Sequence, residues 1–447
     1  MASLENKVFL WKQRIGYGVS DFACNLIWQM ISLYLLYFYT DIMNLSPLAI
    51  GTMFLITRFI DGITDLLVGY WIDKTNTRWG KSRPFFLFGA VPFALFAVLA
   101  FSVPNISNTG KLIYAYITYI GLSFAYTIVN IPMASILPSL TSDPQERTAL
   151  STSRKFFAFL GATIVGATSL KLIQFFGKEN EALGFRIVMI IFGLIGCIMF
   201  FVTFANVREK TYKKESQASL KETIISLSKN KPWIVFAINI LFMWTGFFIQ
   251  SSAIVYYYKI VIGDLQLSIT VTTMMSVVPM LSNFCVPFLA KKLGKRNLFC
   301  YSTFVQILGL LVILFAGLNH IIILLGVFLA SLGAGLKESI YFSMQADPVD
   351  YGEWKTGINT SGSLSAINGF LGKIAQAVSG WLASMLLAWA AYDSQAVTQT
   401  AETIFAVKTM YLYIPIILFI FSIITMMFYN LDKMLPEIKS KLYKDED

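Results

Sequence analysis

A chain of 447 residues that is 56% hydrophobic and only 13% charged, with 38 Phe and 21 Tyr, lies far outside the soluble range of about 45–50% apolar and 25% charged. That balance excludes a soluble globular fold and leaves a polytopic membrane protein, with room for about a dozen helices of about 20 residues each. The net charge of +10 would suggest nucleic acid in a soluble protein; here it is a matter of which loops carry it, and no nucleic-acid partner is expected.

The N-terminal stretch MASLENKVFLWKQRIGYG lacks the short apolar core and small-residue cleavage site of a signal peptide, so the first span is expected to act as its own insertion signal. Apolar spans follow near residues 15–40, 46–72, 84–104, 112–140, 154–176 and 184–206. The polar run from Arg208 to Pro232 is expected to be a linker, with a short surface helix at SLKETIISLSK. Six more spans lie near 233–261, 266–290, 297–317, 321–346, 358–391 and 405–430. The predicted fold is all-α: twelve transmembrane helices in two six-helix halves, 1–207 and 233–447, joined by the linker 208–232.

Lys7, Lys12, Arg14, Lys74, Arg78, Lys81, Arg83 and the many basic residues between Arg208 and Lys231 fall on one side of that map. The other side holds only Lys111, Lys171, Lys178, Arg186, Lys259 and Lys408, which predicts both termini in the cytoplasm. Cys24, Cys197, Cys285 and Cys300 have no paired spacing and read as packing residues, and His320 reads as a solvated side chain in an external turn. Metal-ligand spacing, a nucleophile elbow and a phosphate loop are all missing from the sequence, so no enzyme activity and no cofactor are expected.

The second span breaks the apolar rule. In SPLAIGTMFLITRFIDGITDLLVGYWI, Arg58, Asp61 and Asp65 recur at i, i+3 and i+7, within an arc of about 60°. Lipid cannot host such a stripe; it must face a bundle interior or a watery cavity, and such groups usually mark an ion or substrate path. The plainer reading is that Arg58 and one aspartate neutralise each other as a packing pair, which still leaves one acid over.

The turns between spans carry a resemblance. Gly69-x-x-x-Asp73-Lys74, followed by Arg78-Trp79-Gly80-Lys81-Ser82-Arg83, resembles the loop signature of the major facilitator superfamily, with a basic, glycine-containing echo at Leu289 to Phe299. Asp73, Arg78 and Lys81 are thereby expected to form a gating latch, with Asp73 binding basic groups or a helix N-terminus. The segments Gly16 to Trp28, Tyr39-Thr40-Asp41, Arg58-x-x-Asp61-x-x-x-Asp65, Tyr126-Thr127-x-x-Asn130-Ile131-Pro132, Glu146-Arg147 and Asp350-Tyr351-Gly352-Glu353 resemble the glycoside-pentoside-hexuronide:cation symporters of that superfamily, of the melibiose-permease type, over nearly the whole chain.

That resemblance implies Asp61 and Asp65 as cation ligands, joined by Thr64 and Thr127, with Na+ or H+ as coupling ion and no other cofactor or metal. Thr64 stands where melibiose-type members carry asparagine, and Asn130 and Ala134 stand where they carry an aspartate and a tryptophan. For the sugar the resemblance implies Asp21, with Trp28 at i+7 on the same face as a stacking plate, Asn130, and either Arg154 or Lys155. Lys373 matches a family lysine near the cation site and is expected to balance Asp61 or Asp65 when no cation is bound. Asn368 is expected on a similar face one and a half turns earlier. Lys337-Glu338 is either a self-neutralising pair or places Glu338 on the substrate. With that pair set aside, Asp21, Asp61 and Asp65 against Arg58 and Lys373 leave one negative charge, enough for one monovalent cation.

The expected function is a monomeric secondary transporter of the cell membrane that imports a glycoside, oligosaccharide or pentoside with Na+ or H+ by alternating access. The alternatives are a lysolipid-type or other small-molecule transporter of the same fold, or a non-transporting sugar sensor.

Overall fold

The computed structural model describes residues 2–141, 144–209, 228–345, 347–356, 361–396 and 398–442. The first six long helices are α1 (Ala2–Tyr37), α2 (Pro47–Lys74), α3 (Arg83–Ala100), α4 (Asn108–Ser135), α5 (Pro144–Gly177) and α6 (Glu181–Asn206). The second six are α7 (Lys231–Tyr256), α8 (Leu267–Ser282, continued through a 3-10 turn to Leu293), α9 (Lys295–Phe315), α10 (His320–Met344), α11 (Ser361–Trp389) and α12 (Ala401–Lys408, continued to Met427). Eleven are long and apolar enough to cross a membrane; α2, which carries the charged stripe, is not among them. Connecting helices Asp347–Thr356 and Leu431–Leu442 pack on each other beside the last helices. The expected surface helix at SLKETIISLSK falls almost wholly outside the described residues.

Helix ends differ from the sequence reading where propensity outruns the bilayer. α1 and α5 extend well beyond their apolar spans because Glu5, Lys7, Lys12, Gln145 and Glu146 are good helix formers that need no lipid. Three helices contain π turns, at Phe38–Ile42 after α1, Tyr257–Ile262 after α7 and Thr409–Tyr413 within α12. Asn180, Asn230, Asn319, Ser107 and Thr400 cap α6, α7, α10, α4 and α12 by accepting backbone N–H groups.

The chain forms two compact units. Unit 1 comprises Met1–Lys213 with Leu265–Thr273 and Leu387–Gln399; unit 2 comprises Lys214–Asp264, Met274–Leu386 and Thr400–Asp447. In unit 1, α1 packs on α5 and α6, α3 on α4 and α6, and α2 on α4. Two of its seams use segments late in the chain: Thr272 donates to the Gly166 carbonyl at 2.7 Å, and the Tyr392 hydroxyl donates to Asp41 Oδ1 at 2.7 Å. Burial, and then the Asp41 carboxylate beside it, push the Tyr392 phenol up. In unit 2, α9 packs on α10 and α12, and α7 on α12. A core of Phe236, Phe299, Tyr341, Met344 and Tyr429 forms there, with Leu431 and Ile438 of the last helix closing it.

The basic turns are built by the same device in both units. The Glu209 carboxylate accepts the backbone N–H groups of Lys81 (2.8 Å), Ser82 (2.7 Å) and Arg83 (2.9 Å), capping α3, while Arg83 donates back to the Phe204 carbonyl at 2.6 Å. Gly80 lies at φ +106, and a Cβ there would sit 2.7 Å from the same carboxylate, so only glycine fits. In unit 2, Asp432 accepts the Arg296 N–H at 2.7 Å and Arg296 donates to the Met427 carbonyl at 2.6 Å, with Gly294 at φ +80. The anion at the α3 N-terminus is thus Glu209, a role the sequence offered to Asp73, whose side chain lies outside those described. Arg78 is exposed over the Trp79 ring at 4.7 Å, and Lys81 is exposed.

Glu209→Ala therefore removes three charge-assisted hydrogen bonds and is expected to destabilise the protein by about 1–2 kcal/mol. Thermal unfolding of the detergent-solubilised variant checks this; an unchanged midpoint would mean that α3 needs no cap.

Candidate functional site

Two helices meet rung by rung. α2 presents Arg58, Asp61 and Asp65, and α4, packed against it in the same direction, presents Tyr119, Ser123 and Thr127 one turn apart. Arg58 Nη2 donates to the Tyr119 hydroxyl at 2.8 Å, the Ser123 hydroxyl donates to Asp61 Oδ1 at 2.5 Å, and the Thr127 hydroxyl donates to Asp65 Oδ1 at 3.0 Å. Along α2, Arg58 Nη1 donates to Asp61 Oδ2 at 2.6 Å. Asp61 is 1% exposed and Arg58 8%, so the pair is dry, whereas Asp65 is half-buried. The Thr64 hydroxyl donates to the main-chain carbonyl of Asp61 at 3.1 Å and lies along its own helix.

A second cluster joins α1, α4 and α5. Arg154 Nε donates to Asp21 Oδ2 at 2.8 Å, and Asn25 Nδ2 donates to Asp21 Oδ1 at 3.1 Å. Register is fixed below it: Arg14 Nε donates to Glu146 Oε1 at 2.9 Å, its Nη2 to Oε2 at 2.5 Å, and the Ser153 hydroxyl to the Arg14 carbonyl at 2.8 Å. Gly18 lets α5 come this close, since a Cβ there would run into the Phe157 ring. One turn or more above Asp21, Trp28 stacks on Tyr126 with centroids 5.0 Å apart and planes 25° from parallel. Asp21, Trp28, Asn130 and Lys155 are all half-buried.

Of the two basic candidates on α5, Arg154 is the one that donates to Asp21. This also changes the charge count. Arg154 neutralises Asp21, and adding it to the sequence count sets three acids against three cations, so the one-charge excess expected from sequence is not sustained.

In unit 2 the expectations change further. The Lys337 ammonium donates to Gln306 Oε1 at 2.5 Å and lies 4.0 Å over the Phe419 ring. Lys337 is therefore held between α9, α10 and α12, with the half-buried Glu338 close enough to act on its charge. Asn368 is buried at 2%, its Oδ1 accepting the Trp233 indole N–H at 3.1 Å, which puts it in the packing against α7. Lys373 is half-buried; five residues separate the two, about 140° around the helix, so they do not share a face. His320 Nδ1 stands 3.9 Å from Asp264, and Cys285 is exposed where packing was expected.

A family model described as MFS/sugar transport protein matches residues 16–433. The chain belongs to that family. Its similarity to the glycoside-pentoside-hexuronide:cation symporters extends over the full length. The isoprimeverose transporter of Lactiplantibacillus pentosus is 39% identical over 97% of this chain and 91% of its own. The glucuronide carrier protein homolog of Escherichia coli is 30% identical over 97% of this chain and 95% of its own. Among solved structures, a D-xylose-proton symporter matches with TM-score 0.66 at 13% identity, covering 94% of this chain and 98% of the other. A bacterial homologue of the human lysosomal transporter Spinster matches with TM-score 0.68 at 11% identity over 97% and 98%. At such identities these structures speak for the major facilitator fold alone.

Sequence reasoning gave no site role to Tyr119, Ser123, Tyr126 or Asn25. The first two were findable: from Thr127, stepping back four residues at a time along α4 gives Ser123 and Tyr119, one helical turn per step, as in the three- and four-residue steps of the α2 stripe.

Arg58→Met strands Asp61 without its buried counter-charge and is expected to destabilise the protein by about 3–5 kcal/mol, most of which Arg58→Met/Asp61→Asn should restore. Comparing the melting temperatures of the two variants checks this; a double variant no better than the single would show that the pair is not the balancing unit.

Proposed function

We propose that this protein is a cation-coupled sugar importer that carries a glycoside, oligosaccharide or pentoside together with Na+ or H+ by alternating access in the cell membrane, with both termini in the cytoplasm. The observation that carries the reading is the α2–α4 ladder, a row of two carboxylates and two hydroxyls inside a membrane helix pair, adjoining a carboxylate–guanidinium pair and a stacked aromatic pair through the same helix α4. Membrane-buried acids of this kind are costly and are kept for ion or substrate paths.

In this reading the coupling cation is bound at Asp61, Asp65 and Thr127, with Asp61 also held in place by Arg58. Hard oxygen donors suit Na+, and a crowded carboxylate pair also accepts a proton. Asp21 and Arg154 address sugar hydroxyls as acceptor and donor, and Trp28, backed by Tyr126, offers a flat apolar surface to a sugar ring. Asn130 both donates and accepts from the same helix. Glu338, Lys155 and Lys373 are the remaining polar groups assigned to substrate or charge balance. The names of the similar proteins, a transporter of isoprimeverose and a glucuronide carrier homolog, support a glycoside as cargo.

The test is uptake of a radiolabelled glycoside panel into right-side-out vesicles under an imposed Na+ gradient or an imposed proton gradient. One gradient should drive accumulation, and Asp65→Asn should abolish it while membrane insertion stays normal. Accumulation that ignores both gradients would overturn symport.

A further inference from the structure

Asp61 is the most enclosed carboxylate of the ladder, and its two oxygens have partners of different kinds. Oδ2 meets a guanidinium, which has donors only and can never offer a lone pair to an ion. Oδ1 meets the Ser123 hydroxyl at 2.5 Å. A hydroxyl carries one hydrogen and two lone pairs and reorients by turning about its Cβ–Oγ bond. Such a group donates to a bare carboxylate and presents its oxygen to a cation that arrives beside it. The change needs no helix movement.

Thr127 stands in that same relation to Asp65 one turn further along, at 3.0 Å. Thr64 does not. Its hydroxyl is directed at the Asp61 main-chain carbonyl, 3.1 Å away, so α2 contributes carboxylates but no side-chain hydroxyl to the ladder. Both hydroxyls that face carboxylates come from α4. The result is four hard oxygens on adjacent turns, Asp61 Oδ1 with Ser123 Oγ and Asp65 Oδ1 with Thr127 Oγ1. A proton needs a single acceptor, whereas an alkali or alkaline-earth ion replaces its water with several oxygens at once. Ser123 is 8% exposed, so an ion held there could not make up a lost protein oxygen with freely exchanging water.

We propose that Ser123 is a specificity-determining ligand of the coupling-ion site, its hydroxyl supplying the oxygen that lets the Asp61–Asp65 ladder hold Na+ in addition to a proton. The inference rests on the reading of Asp61 and Asp65 as the coupling site and adds a residue and an ion preference to it. Without Ser123, Asp61 keeps its Arg58 partner and Asp65 keeps Thr127, so a proton can still be taken up by a carboxylate. The multi-oxygen shell is broken.

The experiment uses the purified full-length protein in detergent, with radiolabelled sodium binding and thermal protection by NaCl against choline chloride as the two readouts. Ser123→Ala is expected to raise the Na+ concentration for half-maximal binding about tenfold or more, the scale seen when a group supporting a metal site is removed. Ser123→Thr should keep the wild-type value. Ser123→Cys retains the volume and loses the hard oxygen, so it should behave as the alanine variant even if alanine leaves the helix pair too loose to purify. Wild-type sodium binding in both Ser123→Ala and Ser123→Cys, with binding lost in Asp65→Asn, would overturn the role of Ser123 and leave the site reading standing. Sodium binding unchanged in Asp65→Asn would overturn the site reading itself. Absence of sodium binding or protection in the wild type would overturn the ion preference.

Discussion

The structure turns on the hydrogen bonding of α2. A helix with Arg58, Asp61 and Asp65 on one side can sit among eleven lipid-compatible helices only if every one of those charges is met inside the protein. Arg58 and Asp61 meet each other, and α4 meets all three with a phenol, a serine and a threonine. This requirement sets which helix lies beside α2, in which direction it runs and in what register. It also explains why the innermost groups are charged and hydroxylic in a chain whose other helices pack through Phe, Tyr, Leu and Gly.

The α4 helix is shared between the two clusters. Tyr126 and Thr127 are consecutive residues, and they point about 100° apart, one to the Trp28 ring and the other to Asp65. Any turn of α4 about its axis that changes the aromatic stack therefore changes the carboxylate contact as well. Coupling between a sugar and an ion requires that each favour the same arrangement. A rigid helix with one residue in each cluster is a direct physical means of achieving it, with no longer chain of contacts involved.

The fold class was legible because composition and twelve apolar stretches leave few alternatives, and Asp61 and Asp65 announced themselves as charges in an apolar context. Tyr119 and Ser123 did not, because hydroxyls are ordinary in membrane helices. Thr118, next to Tyr119, simply returns its hydroxyl to the Tyr114 carbonyl at 2.8 Å. Only the partner across the interface separates one kind from the other. Lys337 was legible as a charge in an apolar span, but its partners Gln306 and Phe419 were not, because they lie on other helices. Glu209 was hidden in a charged tail after α6, where nothing local distinguishes the one carboxylate that turns back onto α3.

The π turns at Phe38–Ile42 and Tyr257–Ile262 close the first helix of each six-helix set. A π turn carries one residue more than the α turn it replaces, and losing that residue restores ordinary winding without rotating the helix before it. These two places can therefore gain or lose a residue over evolutionary time at little structural expense. A deletion between Asp21 and Tyr37 has no such slack. It would swing Asp21 about 100° away from Arg154 relative to the end of the helix. Length variation among related chains should accordingly concentrate at the C-terminal end of α1 and α7, while the stretch between those ends and the polar clusters stays fixed in count.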